Sequence, residues 1–192
     1  MAHKDRQKTK AAKGAEMNFI PECFADTNLV KTLLHVKAAN HKKGCNTVLG
    51  AMETDFADDF AVGLIDLDKD TARKPSLREF SSLGASQHLT LYKHKDKHHY
   101  LILINDILER FVLSCAEETN TDLKDFGFQR GMEDLKDAFK RREASSDPRI
   151  TNLFRSIEDA DDMKRLSHIL NYLKAKKFSS DINDLTAFFP TM

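Results

Sequence analysis

Two short apolar runs, each closing on an acid, set the tightest limit on how this chain folds. Residues 60–66 read Phe-Ala-Val-Gly-Leu-Ile-Asp and residues 100–106 read Tyr-Leu-Ile-Leu-Ile-Asn-Asp. Runs of that length, continuous rather than alternating, suit strands buried on both faces. Between and around them stand helical patterns. Val48, Leu49, Met52 and Phe56 recur at spacings of one, three and four, and residues 107–118 continue the second run as a helix. Upstream, residues 18–25 form an apolar run interrupted by Pro21, and Asp26-Thr27-Asn28 supplies capping residues before the helical "LVKTLLHV".

The remaining pieces fill in the order. A short strand is expected at "VKAAN", a turn around Gly44, a polar loop from Leu67 to Ser86 with one helical turn in it, and an alternating strand at "HLTLY". From Thr119 onward every periodic segment is helical. Strands alternating with helices predict an α/β fold with a mostly parallel sheet flanked by helices. The core spans 18–118, a flexible basic tail spans 1–17, and an all-helical extension over 119–192 packs on the core.

Composition narrows the function. Lys+Arg and Asp+Glu are both 30 in 192 residues, so a globally basic nucleic-acid binder is excluded and any such contact needs a local patch. Three cysteines, Cys23, Cys45 and Cys115, form no paired spacing, which fits a reducing, cytoplasmic setting; Cys23 and Cys115 lie in apolar runs and read as core thiols. No apolar stretch reaches the roughly 18–20 residues needed to span a bilayer, and the basic start is followed by no signal-like segment.

In a parallel α/β sheet, ligands bind beyond the carboxyl ends of the strands. Asp26 and Asp66 are both expected there, and Asp68 and Asp70 follow Asp66 at every second position. Asp66 and Asp68 share a face at that spacing. Such carboxylates repel one another without a cation; a solvated strand-end turn, with Asp26 as an ordinary helix cap, is the plain alternative.

This order of motifs resembles the Toprim fold, a Rossmannoid domain of topoisomerases, primases and overcoming-lysogenization-defect nucleases. The third-strand DxD motif is matched by Asp66-Leu67-Asp68 after "AVGLI", the turn glycine by Gly44, and the first acid by Asp26, where the family has Glu; Thr27 stands where it has Gly. "INDILERFVL" is similar to the "NPxxExWLL" stretch of small Toprim-like proteins from bacterial defence loci, at Asn105, Asp106, Glu109, Phe111 and Leu113. The resemblance covers about residues 19–118.

It implies a nuclease dependent on Mg²⁺ or Mn²⁺. Asp26, Asp66 and Asp68 would be catalytic and, with Asp70, would hold metal; Glu109 would be an accessory acid. It also implies a separate ATPase partner and a role in anti-phage defence. Phosphate contacts are expected from Lys93, Lys95, Lys97 and His98, after the fourth strand, and from Lys42 and Lys43 in the Gly44 turn. An exposed polar loop is the alternative for the first group, and an ordinary turn for the second. No P-loop, nucleophile elbow or HExxH motif occurs. The rival reading is a non-catalytic Toprim-like scaffold whose C-terminal helices bind a protein partner; a homo-oligomer is compatible with either. A receiver-like domain would need a lysine after its fifth strand, and "YLILIND" offers none.

Overall fold

The computed structural model describes residues 14–67 and 75–189. It is an α/β protein with one five-stranded mixed sheet flanked by helices. In chain order come β1 (Ala15–Glu16), β2 (Phe19–Pro21), α1 (Phe24–Leu34), β3 (Ala38–Ala39), α2 (Cys45–Thr54) and β4 (Ala61–Leu67). A 3₁₀ turn at Pro75–Glu79 leads into β5 (Phe80–Ala85), β6 (Leu89–His94) and β7 (His99–Asn105). Thereafter the described elements are helical: α3 (Leu108–Glu118), α4 (Met132–Phe139), α5 (Pro148–Ser156), α6 (Asp161–Lys176) and α7 (Ile182–Thr186), with short 3₁₀ turns between.

The sheet order is β2-β4-β7-β6-β5. β2, β4 and β7 are parallel, whereas β6 and β5 run antiparallel to their neighbours. The expected mostly parallel sheet is thereby corrected to a mixed one. The reason is loop length: a parallel crossover takes a dozen or more residues, and only residues 95–98 separate β6 from β7. The "VKAAN" strand is reduced to β3, which pairs with β1 in a separate two-stranded ladder.

β5 falls in the stretch expected to be a loop. It is an edge strand whose register shifts between Ser82 and Gly84, and bulges of this kind are frequent at sheet edges. Gly84 is required there, because a Cβ would lie 2.4 Å from the ring of Phe189. That ring folds the end of the described chain over the edge, which limits pairing with other strands.

Both faces of the sheet are covered, which accounts for the unbroken apolar runs. Val62, Leu64, Ile102 and Ile104 face α1, α3, α5 and α6 in one core cluster. Ala61, Ile65, Leu101 and Leu103 face α2 in a second. α2 sits close to β4, since a Cβ on Gly63 would meet Leu101 at 2.7 Å and Met52 at 2.9 Å. Buried Asn28 joins α1 to the start of α5: its Nδ2 donates to Ala144 O (2.7 Å) and Asp147 O (3.3 Å), and its Oδ1 accepts from Thr32 and Thr151. Among the described residues no helix is long and apolar enough to cross a membrane.

Candidate functional site

β2 ends at Pro21, four residues earlier than the apolar run suggests, and α1 begins at Phe24. Cys23 is the N-cap of α1, and its Sγ accepts from the N–H of Asp26 at 3.2 Å. The Asp26 carboxylate completes a capping box by accepting the N–H of Cys23 at Oδ2 (3.0 Å). Asp26 is thus not a strand-end acid. It belongs to the first turn of α1, 1% exposed. The acid that directly follows β2, the first strand of the five-stranded sheet, is Glu22, which sequence reasoning missed.

Glu22 is held by main-chain donors from two other elements. Its Oε1 accepts the N–H of Cys45, the first residue of α2 (2.9 Å), and its Oε2 accepts the N–H of Asp66 on β4 (3.1 Å). A carboxylate at a helix N-terminus meets the positive end of the helix dipole. Gly44, at φ 89°, makes this approach: it is the N-cap of α2, in a left-handed conformation that favours glycine, and its N–H donates to Glu22 O (3.3 Å).

Asp66 lies at the carboxyl end of β4, paired with Ile104 on β7. Burial pushes its carboxyl above the ordinary range, and the charges of Asp26, Glu22 and Glu109 push it further; the main-chain N–H of Leu108 opposes them. Asp26 is raised as well, first by burial and then by Glu22 and Glu109, against hydrogen bonds from Cys23. Four carboxylates from β2, α1, β4 and the first turn of α3 therefore share one end of the sheet. Asp26 Oδ1 and Asp66 Oδ1 are buried and have no hydrogen-bond partner. Burial and the neighbouring Asp26 also hold the Cys23 thiol protonated. Cys23 is only partly buried; Cys45 and Cys115 are the buried thiols.

The Gly44 turn wraps the same end. Lys42 N–H donates to Pro21 O (3.1 Å), and Lys42 Nζ pairs with Asp55 at 3.3 Å, leaving Lys43 exposed. His41 stacks on Phe24 with ring centroids 4.2 Å apart and meets Thr27 Oγ1 through Nδ1 at 3.3 Å. Glu109, partly buried, opens α3, and its neighbour Arg110 pairs with Asp106 at 2.5 Å. Asp68 and Asp70 lie outside the described residues.

The other expected phosphate-binding group is elsewhere. Lys93, Lys95, Lys97 and His98 lie at the β6–β7 hairpin. Because β6 is antiparallel, that hairpin sits at the amino end of β4 and β7: Ala61 pairs with His99, whereas Asp66 pairs with Ile104. The two ends are roughly 16 Å apart at about 3.3 Å per residue. Lys93 Nζ donates to His94 O (2.6 Å) and to Lys97 O, so it closes its own hairpin. The expectation that these residues line the acid site is corrected on this geometry.

Among the described residues no group of three or more His, Cys, Asp or Glu side chains forms a ready metal cage. Mg²⁺ seldom asks for one: it keeps several waters and is usually held by one or two carboxylates plus substrate phosphate. Two buried carboxylate oxygens without partners, amid further acids, are a donor set of that kind. Comparisons with protein-family models, curated proteins and solved structures find no match.

Proposed function

We propose that the protein is a Toprim-like, Mg²⁺- or Mn²⁺-dependent nuclease whose site is the carboxylate cluster at the carboxyl ends of β2 and β4. The observation that carries this reading is the pair of buried, partnerless oxygens on Asp66 and Asp26, with Glu22 and Glu109 beside them. Uncompensated buried acids are costly, and a hard cation removes the cost. The resemblance asks for a glutamate at the end of the first strand, and Glu22 supplies it.

In this reading Asp66 and Glu22 hold the cation, with Asp68 as a further ligand by the DxD resemblance. A bound cation supplies charge to a phosphoryl oxygen and lowers the pKa of a coordinated water. Asp26 holds or accepts a proton at its free Oδ1, the general-base role. Main-chain N–H groups of Cys45 and Asp66 fix Glu22 in place, and Lys43 in the Gly44 turn meets the phosphate backbone. By the same resemblance the protein acts in the cytoplasm beside a separate ATPase, in defence against phage.

A scaffold reading draws on two observations: Asp26 is engaged in a capping box, and the lysine hairpin faces away from the acids. One experiment separates the readings. Plasmid DNA and bulk RNA are incubated with the protein in Mg²⁺, Mn²⁺ or EDTA, beside Asp66→Ala, and Mn²⁺ binding is measured in parallel. Metal-dependent cleavage lost in the variant supports the nuclease. Neither cleavage nor Mn²⁺ binding overturns it in favour of the scaffold.

A further inference from the structure

We propose that the cleft between the last turns of α1, the 3₁₀ turn at Arg142–Ser146 and α5 is an anion site that takes a phosphate group. The cleft holds about 430 Å³ and is lined by Lys31, His35, Lys37 and Arg155, with the hydroxyls of Ser146 and Thr151. No carboxylate among the described residues lines it, although the chain as a whole has no net charge.

Charge at this place has an ordinary explanation that covers only part of it. Lys31 lies in the last turn of α1 and Arg155 in the last turn of α5, and cations belong at helix carboxyl ends. Each such end carries only about half a negative charge. Two ends therefore answer about one of the three fixed cations Lys31, Lys37 and Arg155, and a surplus of about two positive charges remains. That surplus matches the −1.5 to −2 of a phosphate monoester.

The cations are also poised for a ligand. Lys31 Nζ is fixed by donating to Ser145 O at 2.8 Å. Among the described residues neither Lys37 nor Arg155 takes part in an ion pair. An exposed guanidinium beside two ammonium groups and the exposed Ser146 hydroxyl is the arrangement that phosphate oxygens accept from. The site is independent of the acid cluster and requires no cleavage activity. Its phosphate comes either from a small molecule or from a nucleic-acid backbone.

The test uses the full chain with two probes, pyrophosphate and a short single-stranded DNA, followed by calorimetry. The variant is the exposed pair Lys37→Glu, Arg155→Glu; the control, Lys95→Glu, Lys97→Glu, changes net charge equally on the β6–β7 hairpin, which does not line the cleft. Melting curves establish that both remain folded. Binding of either probe that falls about tenfold or more in the first variant and stays within about threefold in the control establishes the site. Pyrophosphate alone identifies a small phosphate ligand, and DNA alone a backbone. No binding of either probe, or equal weakening by both variants, overturns the proposal.

Discussion

The two ends of the central sheet carry opposite chemistry. At the carboxyl end, Glu22, Asp26, Asp66 and Glu109 gather where α1, α2 and α3 all begin. At the amino end, Lys93, Lys95, Lys97 and His98 occupy a hairpin, with the half-exposed ring of Phe178 against His98 and the buried ring of Phe60. The contrast follows from chain direction. In a βα unit the helix starts at the carboxyl end of its strand, so N–H groups collect there and hold carboxylates, as Cys45 N–H holds Glu22. Helix carboxyl ends and hairpin carbonyls collect at the other end and accept from lysines, as His94 O and Lys97 O accept from Lys93. A neutral net charge thus hides a polar axis along the strands.

Function should follow this axis. On the nuclease reading Asp66→Ala is expected to reduce metal-dependent cleavage by about 10²-fold or more, since it removes a carboxylate that holds the cation. Lys95→Glu with Lys97→Glu is expected to leave kcat within about threefold, because rim charges far from a site act through weak, screened fields. If the hairpin variant loses activity as fully as Asp66→Ala, the division of roles between the two ends is wrong.

The amino end should instead fail in stability. Phe60 is fully buried and meets Phe19, Tyr100 and Phe178 edge-on or tilted. Phe60→Ala is expected to cost about 3–5 kcal/mol, from lost transfer energy and a cavity, readable in urea denaturation. Mn²⁺ affinity of the folded fraction should not change.

Much of this fold could be read in the chain, and the losses have physical causes. β4, β7 and the C-terminal helices were legible because burial on both faces, or on one stripe, writes a strong period. β5 was not: at an edge, with Ser81, Ser82 and Ala85 exposed, it carries a polar pattern like that of a loop. Glu22 was hidden because "CFA" continues the apolar run past the true strand end, and the cap that starts α1 is a cysteine thiol rather than an aspartate. The acid directly after "FIP" was the available signal. The lysine hairpin was placed at the wrong end because strand direction is set by loop length. Four residues between two strands already imply a reversal. Asp66 was legible because its strand is the clearest in the chain, whereas its meeting with Asp26 and Glu109 depends on packing that sequence does not display.

Acid crowding at the carboxyl end should show as a pH dependence of stability in EDTA. Asp26 and Asp66 have carboxyls raised in the folded protein. Such groups contribute stability that is present below their unfolded value, near pH 4, and lost as pH rises towards the folded value. While a group is protonated only in the folded protein, each pH unit costs about 1.4 kcal/mol, so from pH 5 to pH 8 the loss is expected to reach several kcal/mol, at about 2–4 °C in Tm for each kcal/mol. Asp66→Asn should remove most of the slope and stabilise the protein at pH 8. Added Mn²⁺ should restore stability at pH 8 to the wild-type protein and not to the variant. A slope unchanged by Asp66→Asn would mean that the carboxylates are not crowded.

The smallest effect is expected at Lys42, where the axis meets solvent. Its ammonium pairs with Asp55 in a half-exposed bridge, and such bridges contribute little, so Lys42→Ala should change stability by no more than about 0.5 kcal/mol. Its main-chain N–H, which donates to Pro21 O, is kept in the variant, and the Gly44 turn should hold its shape. On the nuclease reading exposed Lys43 of the same turn carries the charge that meets the substrate backbone. For Lys43→Ala, KM for DNA should rise by about two- to fivefold with kcat unchanged, and the salt slope of binding should fall by about one. The same measurement on Lys95→Ala should show neither change. That difference between two single lysines, equal in charge and unequal only in which end of the sheet they occupy, is the finest test of the polar axis, because it leaves fold, net charge and metal ligands alike.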